Sequence, residues 1–404
     1  MSESDFKHGP LTDLRVIELG SLLAGPFCGQ LFGDFGAEVI KVGSPGEGDP
    51  MRMWGRQEKG GPSLWWPVVA RNKKSITLDL RQPAGQEVLK ELVSKADFLL
   101  ENFRPGTLEK WGLGWAELSA VNPRLIMIRV SGFGQSGPRA RDPGFGAIGE
   151  AMGGLRYIVG DPSTPPSRTG ISIGDSLAAT FACVGALAAL HCRERTGRGQ
   201  VVDSAIYEAV LNMMESLITE YDQRGIVRER TGAVLPNVAP SNVYPTRDGL
   251  VLIAANQDAV FRRLCLAMGA PELADDPCYS THQARGARQR ELDEQVGRWT
   301  AGLATSEVLE ILRRRETAVP AGLIYRAPDM LQDPHFKARN AIVETAHPRF
   351  GTLRMQNVAP KLSATPGSIR SPAPELGAHN DEIYLGLLGM DEARYLDMKA
   401  RRVI

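Results

Sequence analysis

The segment Gly170-Ile171-Ser172-Ile173-Gly174-Asp175-Ser176 places a carboxylate beside glycines at the mouth of an apolar stretch. Read alone, an Asp at a helix start is a cap, because it accepts backbone N–H bonds and the helix dipole favours its charge. Two features set Asp175 apart. Gly170 and Gly174 allow another molecule to approach the backbone closely, and neither Glu nor Gln follows three residues on. A carboxylate that is stabilised yet half-open can act as a covalent nucleophile. Two basic segments could grip phosphates: Arg71-Asn72-Lys73-Lys74 running on to Arg81, and Glu101-Asn102-Phe103-Arg104-Pro105-Gly106 with Lys110. Each read singly is equally a solvated basic face. The run Gly132-Phe133-Gly134-Gln135-Ser136-Gly137-Pro138 could present backbone N–H groups to a reacting carbonyl, with Gly134 and Gln135 as candidate substrate contacts.

These residues need elements to hold them. Leu14–Leu19, Ala37–Val42, Ser75–Leu80, Asp97–Phe103, Leu125–Val130 and Val201–Ala205 read as strands. Helices are expected at 26–35, 84–96, 105–111, 175–196 and 206–224. Strands alternating with helices give a doubly wound, Rossmann-like α/β domain with a parallel sheet, whose ligands sit at the carboxyl ends of the strands. Asn102, Phe103 and Arg104 would then face that edge. The first strand-to-helix turn, Gly20-Ser21-Leu22-Leu23-Ala24-Gly25-Pro26, is not a GxGxxG pattern, so a dinucleotide fingerprint is unsupported. Beyond 224 the texture changes to a Pro- and Asn-rich loop, one apolar strand at Leu250–Ala255, and Arg- and Glu-rich helices. The expected organisation is 1–224 as the first part of a large α/β domain, 225–325 as a smaller α+β domain, and 326–404 returning to complete the large one, with a helix near 380–390.

Composition narrows the classes of function. Lys plus Arg and Asp plus Glu both number 47, so no general attraction to nucleic acid or to an anionic membrane is expected. The longest unbroken apolar run, Leu177 to Leu190, falls short of the roughly 20 residues that span a bilayer and reads as a buried helix. The opening MSESDFKHGPLTDL lacks the basic and apolar parts of an export signal. The five cysteines are scattered without CxxC spacing, which fits a reducing cytoplasm and no structural metal site.

Taken in order, these strings resemble one family, the class III CoA-transferases, which include formyl-CoA transferase and the carnitine CoA-transferase type. The resemblance runs through Leu23–Pro26, Gly36–Val42 with Pro45–Asp49, Arg71–Leu80, Glu101–Gly106, Gly132–Pro138, Asp175 before Ala188-Ala189-Leu190, Thr196–Gln200, Asp276-Pro277, Pro320–Gly322 and Leu376–His379. It implies two subunits interlocked as a homodimer, acyl-CoA and small carboxylic acids as partners, and no permanently bound cofactor. CoA would contact Leu23, Ala24, Leu78, Asp79, Leu80, Arg81, Asn102, Phe103, Arg104 and Lys110. Asp175 matches the catalytic aspartate. Two departures stand out: Gly43-Ser44 replaces a basic residue of formyl-CoA transferase, and Leu235–Pro240 stands where that enzyme has a glycine-rich covering loop.

The implied chemistry stores acyl-transfer potential on Asp175, as an aspartyl anhydride and then an aspartyl–CoA thioester, with the loop 235–241 excluding water. A racemase of the same superfamily is the alternative, but it needs an acid–base pair, and Phe145 stands where its His is expected. A non-catalytic CoA-binding protein is the other. Arg52, Arg56, Arg156 and Arg168 lie near the expected active-site connections and could hold a second carboxylate. The string Pro165–Gly170 is similar to family members that use dicarboxylates, so Arg168 is the preferred candidate and succinyl-CoA the expected donor.

Overall fold

The computed structural model describes residues 9–55 and 62–404. The chain forms two compact units. The first comprises the chain up to Arg156 with Thr169–Arg224 and His335–Ile404, and the second comprises Tyr157–Arg168 with Gly225–Pro334. The second unit therefore ends nine residues beyond the expected 325, and it takes in a short piece, 157–168, that the sequence reading left in the first.

In the first unit six strands form a wholly parallel sheet: β1 (Arg15–Glu18), β2 (Glu38–Gly43), β3 (Lys73–Thr77), β4 (Phe98–Glu101), β5 (Ile126–Ser131) and β6 (Val201–Ala205). Their order is β3-β2-β1-β4-β5-β6, the doubly wound arrangement in which the strand order reverses between β1 and β4. Both faces are covered, so the strands are buried over most of their length, and the polar residues on them must find partners. Ile17, Ile40, Ile76, Leu99 and Met127 pack on one face, with helix α2 (Pro83–Val93). Val16, Val39, Phe98, Leu100, Ile126 and Ile128 pack on the other, with α1 (Ala24–Asp34) and the long helix α4 (Ile173–Thr196). Two short helices, α3 (Gly146–Met152) and α5 (Ile206–Asn212), pack against α4.

Helix α4 presents a stripe of Ala178, Ala179, Ala182, Ala186 and Ala189 to the sheet, and these small side chains let it lie close. It is longer than its unbroken apolar run. At 24 residues, with a mean hydropathy of 1.7 over its most apolar window, it meets the length and composition needed to cross a membrane, and a third of that window is buried here. The single helix expected over 206–224 is two, α5 and Leu217–Arg224, separated where Glu215 takes a positive φ of 52°. Such a φ is unfavourable for a side-chain-bearing residue and interrupts the ladder.

The second unit has a three-stranded antiparallel sheet, β7 (Ser241–Pro245), β8 (Leu250–Ala254) and β9 (Ala321–Leu323), where the sequence suggested one strand. On β8, Val251 and Ile253 are buried while Leu250 and Leu252 are exposed, the alternation of a one-sided sheet. Helices Asp258–Ala267, Gln289–Ala301 and Thr305–Arg313 cover the buried face with Leu264, Val296, Val308 and Leu312.

The chain then returns to the first unit through the hairpin β10 (Ile342–His347) and β11 (Gly351–Gln356), which sequence patterning did not reveal. This segment covers the outer edge of β3. Ser75 N–H donates to His379 Nδ1 at 3.1 Å, Thr77 N–H to Asn380 Oδ1 at 3.0 Å, and Tyr384 Oη to Thr77 O at 2.6 Å. An otherwise unpaired strand edge is thereby satisfied. The β3 strand begins two residues before its expected start and ends at Thr77, because Asp79 N–H turns away to Val403 O.

Candidate active site

Where the strand order reverses, the turns after β1 and β4 are tied together. Asn102, just past β4, accepts from Ser21 N–H at 2.7 Å and donates to Ser21 O at 2.9 Å. Gly20 and Gly25 make this possible: a Cβ at either would stand 3.1 to 3.3 Å from the Asn102 amide oxygen. Leu22 in the same turn has a φ of 63°. A buried charge cluster holds it from beneath. Asp49 accepts from Leu22 N–H at 3.1 Å and pairs with Lys41 at 2.8 Å, and Lys41 also bonds Gly20 O. Glu18, with no exposed surface, receives Lys73 at 2.7 Å and Lys41 at 3.3 Å. Two acids and two bases balance, as charges buried this deeply must. Burial alone would raise the Asp49 carboxyl, yet Lys41 and the Met51 and Leu22 N–H groups hold it below its ordinary value.

The segment expected to grip phosphates through Arg71, Lys73 and Lys74 is thus largely internal. Arg71 makes a two-pronged pair with Asp34 at 3.0 and 2.6 Å, Lys73 belongs to the buried cluster, and Lys74 pairs with Glu38 and Glu382. The bases of this segment find their acids on β1, β2 and α1, and Lys74 finds one more, Glu382, on the returning segment that covers β3.

The second basic segment does open onto solvent. Arg104, Glu109, Lys110, Arg129, Gln135 and Arg141 line a cleft of about 730 Å³, within the range of small-molecule sites. Arg129 stands in the middle of apolar β5 and is satisfied by Glu101 at 2.7 Å and Glu109 at 2.7 Å. Arg104 donates twice to Arg141 O, at 2.9 and 2.6 Å, which fixes its guanidinium at the rim. Burial pushes the Glu101 carboxyl up in spite of Arg129, whereas Glu109, also raised by burial but more exposed, is brought below its usual value by the Arg129 bond. Gln135 N–H donates to Asp203 at 2.9 Å, and Gly134, at φ 84°, supplies the turn that aims it there. Burial raises the Asp203 carboxyl.

Five residues beyond Arg141 the chain enters α3, so the cleft and the start of that helix lie within about 18 Å of each other. Asp175 meets α3 there. It is not a cap: it is the third residue of α4, one turn inside the position expected for a capping Asp, and the residue at the capping position is Ser172. Its carboxylate rests on the Cα of Gly146, the first residue of α3. A Cβ at that position would come 2.7 Å from Asp175 Cγ, closer than side chains pack. Gly174 is equally enclosed, with Gly146 O, Glu150 Cγ and Ile206 Cγ2 each 3.1 Å from where its Cβ would be. The half-buried carboxylate sits in the first helical turn, where unpaired N–H groups and the dipole favour negative charge.

The remaining candidates are dispersed. Leu23 borders the β1 turn and Ala24 is buried in α1. Leu78 and Leu80 belong to the core, and Asp79 pairs with exposed Arg81 at 2.8 Å, so contact with a ligand there would fall to backbone and to Arg81. Phe103 packs edge-on to Trp111. Arg52 lies over the Trp66 ring at 3.8 Å and donates to Pro374 O. Arg156 pairs with buried Glu150 at 2.8 Å and so serves an internal acid. Arg168 is exposed on the second unit, and Arg56 lies outside the described residues. The loop 235–241, expected to exclude water, is anchored within its own unit: Gln289 donates to Leu235 O and Val238 O, and Arg285 to Ala239 O. Among the described residues no group of three His, Cys, Asp or Glu side chains is placed to hold a metal.

Sequence reasoning passed over Arg129, Arg141, Gly146, Glu150 and Asp203. Arg129 carried a signal, since a lone Arg in an apolar strand must find an acid. Glu150, one acid in the small-residue run Gly146-Ala147-Ile148-Gly149-Glu150-Ala151, carried another.

The profile of CoA-transferase family III matches residues 11–380. Over 396 residues, 98% of both chains, the protein is 61% identical to succinyl-CoA–D-citramalate CoA-transferase of Chloroflexus aurantiacus. It is 44% identical, over 98% of both chains, to the beta subunit of succinyl-CoA–L-malate CoA-transferase from the same organism. Among solved structures, a CAIB/BAIF family protein from Brucella suis is similar with a TM-score of 0.82 at 33% identity, covering 93% of this chain and 99% of that one. A doubly wound sheet, the ordered motifs and relatives matched end to end agree: the chain belongs to CoA-transferase family III and is a CoA-transferase.

Proposed function

We propose that this enzyme moves CoA from succinyl-CoA to a four- or five-carbon dicarboxylate, a 2-hydroxy acid of the citramalate or malate kind, with Asp175 as the covalent nucleophile. The observation that carries the mechanism is the seat of Asp175: a carboxylate in the first turn of α4, held on the bare Cα of Gly146, in the same unit as the Arg104–Lys110 cleft. The choice of acids rests on the relatives, which act with succinyl-CoA on D-citramalate and on L-malate.

The reaction needs no nucleotide and no net proton. An Asp175 oxygen attacks the succinyl thioester carbonyl, the C–S bond breaks, and CoA thiolate leaves a succinyl–aspartyl anhydride. The thiolate then attacks the aspartyl carbonyl, the anhydride C–O bond breaks, and succinate departs. The acceptor carboxylate attacks the resulting aspartyl–CoA thioester and expels the thiolate. In the last step the thiolate takes the acceptor acyl group and Asp175 is freed as a carboxylate. The cleft holds the CoA phosphates through Arg104 and Lys110. Arg168 holds the distal carboxylate of the acceptor. A racemase would require a proton carrier at position 145, and the ring of Phe145 has no group that can accept or give up a proton. A second copy of the chain covers the exposed Val184 and Leu187 of α4, making the working enzyme a homodimer.

The test combines one variant with a panel of acids. Asp175→Ala abolishes transfer from succinyl-CoA while CoA binding survives, and the wild-type protein gains the mass of CoA on Asp175 during turnover. More than about a hundredth of wild-type rate in the variant would dismiss covalent catalysis by this residue. Arg168→Met raises KM for citramalate about ten- to a hundredfold and affects a monocarboxylate of equal length much less, as the loss of a charge-assisted bond requires.

A further inference from the structure

We infer that Glu150 is the positioning residue of the nucleophile, an inference that rests on the reading of Asp175 just given. Glu150 has 1% of its surface exposed and occupies the fifth position of α3, one turn after Gly146 and on the same face. Gly146 receives the carboxylate of Asp175, and Glu150 receives the preceding residue. Its Oε1 accepts from Gly174 N–H at 3.4 Å, and its Cγ lies against the Gly174 Cα. The first N–H groups of a helix have no partner within it, so Glu150 satisfies a donor that would otherwise be stranded in a closed interior. Its other oxygen, Oε2, accepts from Arg156 Nη2 at 2.8 Å, which neutralises a second negative charge close to the nucleophile.

Two successive residues of α4 are thus held by two residues of α3 one turn apart. Ile206 of α5 closes the third side against Gly149 and Gly174. The length and both acceptor atoms of Glu150 are needed. A Gln has one acceptor oxygen for two donors, so either Gly174 N–H or Arg156 loses its partner. The helix start would then be free to shift, and a displacement on the order of 1 Å at a reacting group can lower a rate about a hundredfold.

The experiment measures Glu150→Gln and Arg156→Met beside Asp175→Asn, with succinyl-CoA and citramalate. In Glu150→Gln, kcat falls about ten- to a hundredfold, KM for succinyl-CoA stays within about twofold because the CoA-binding groups lie on other elements, and CoA mass appears on Asp175 more slowly in a single turnover. Arg156→Met leaves the Gly174 contact in place and gives a smaller loss of kcat with KM again unchanged. A folded Glu150→Gln enzyme with wild-type kcat overturns the inference, as does a loss that merely tracks the folded fraction in thermal melts. Should Glu150→Gln fail to fold, an unaltered kcat in Arg156→Met overturns it equally. Asp175→Asn keeps the two readings apart. Turnover in that variant removes the nucleophile reading itself, whereas a dead Asp175→Asn beside a normal Glu150→Gln removes only the role of Glu150.

Discussion

At the scale of single residues, the site depends on what is missing as much as on what is present. Gly146 has no side chain, and Asp175 occupies the space one would fill. Its backbone is ordinary helix, so no conformational freedom is at stake, and Gly146→Ala is a test of space alone. The methyl group would displace the carboxylate, which lies at the half-buried end of α4, while the helix itself gains an Ala. We expect Gly146→Ala to fold with a melting temperature within a few degrees of wild type and to lose about a hundredfold in kcat, measured by transfer from succinyl-CoA. A variant with both stability and rate intact would mean that the carboxylate need not rest where it does. Asp175 itself was legible in the sequence because glycines flank it and an apolar helix follows. Gly146 was not, because nothing in a string of small residues says which glycine faces a carboxylate twenty-nine positions away.

At the scale of elements, the β1–α1 turn is shaped by charge that never reaches solvent. Lys41 comes from β2, Lys73 from β3, Glu18 from β1 and Asp49 from the loop after β2, and the four meet under the turn that carries Leu22 and Leu23. In Asp49→Asn the amide oxygen can still accept from Leu22 N–H, but Lys41 loses its nearest anion, and breaking a buried pair costs about 3–5 kcal/mol. The pH dependence follows from the direction of the shift. The Asp49 carboxyl titrates below its ordinary 3.8 in the folded protein, so its contribution is complete above about that pH and fades as pH falls through the folded value. Urea titrations should therefore show the gap between wild type and Asp49→Asn widest at neutral pH and narrowing below pH 3.8. A gap that stays constant down to pH 3 would mean that shape rather than charge holds the turn. The sequence displayed Arg71, Lys73 and Lys74 as a basic patch because their acids, Asp34, Glu18 and Glu38, lie on strands and helices tens of residues away.

At the scale of the whole molecule, the apolar helix α4 has two faces in different surroundings. Its alanines lie on the sheet, while Val184 is 59% and Leu187 39% exposed, aliphatic surface left open on a long apolar helix. Val184→Glu with Leu187→Glu should leave the fold of each chain stable, since neither side chain is in its core, and should convert a dimer to monomers in light scattering coupled to size exclusion. A dimer that persists would place the interface elsewhere. The amino-acid sequence by itself determined the strand–helix alternation of the first 200 residues, the family, and the place of Asp175 at the start of an apolar helix, because these rest on periodicity, glycine placement and ordered local strings. Only the tertiary structure decided that the chain from His335 onward closes the edge of β3, that the bases of β3 are paired with acids while Arg104 and Lys110 line an open cleft, and that Gly146 and Glu150 of α3 meet Asp175 and Gly174. The reason is physical: a residue type states what charge or shape it carries, but which acid meets which base, and which glycine leaves the needed space, is set by contacts between segments far apart in the chain.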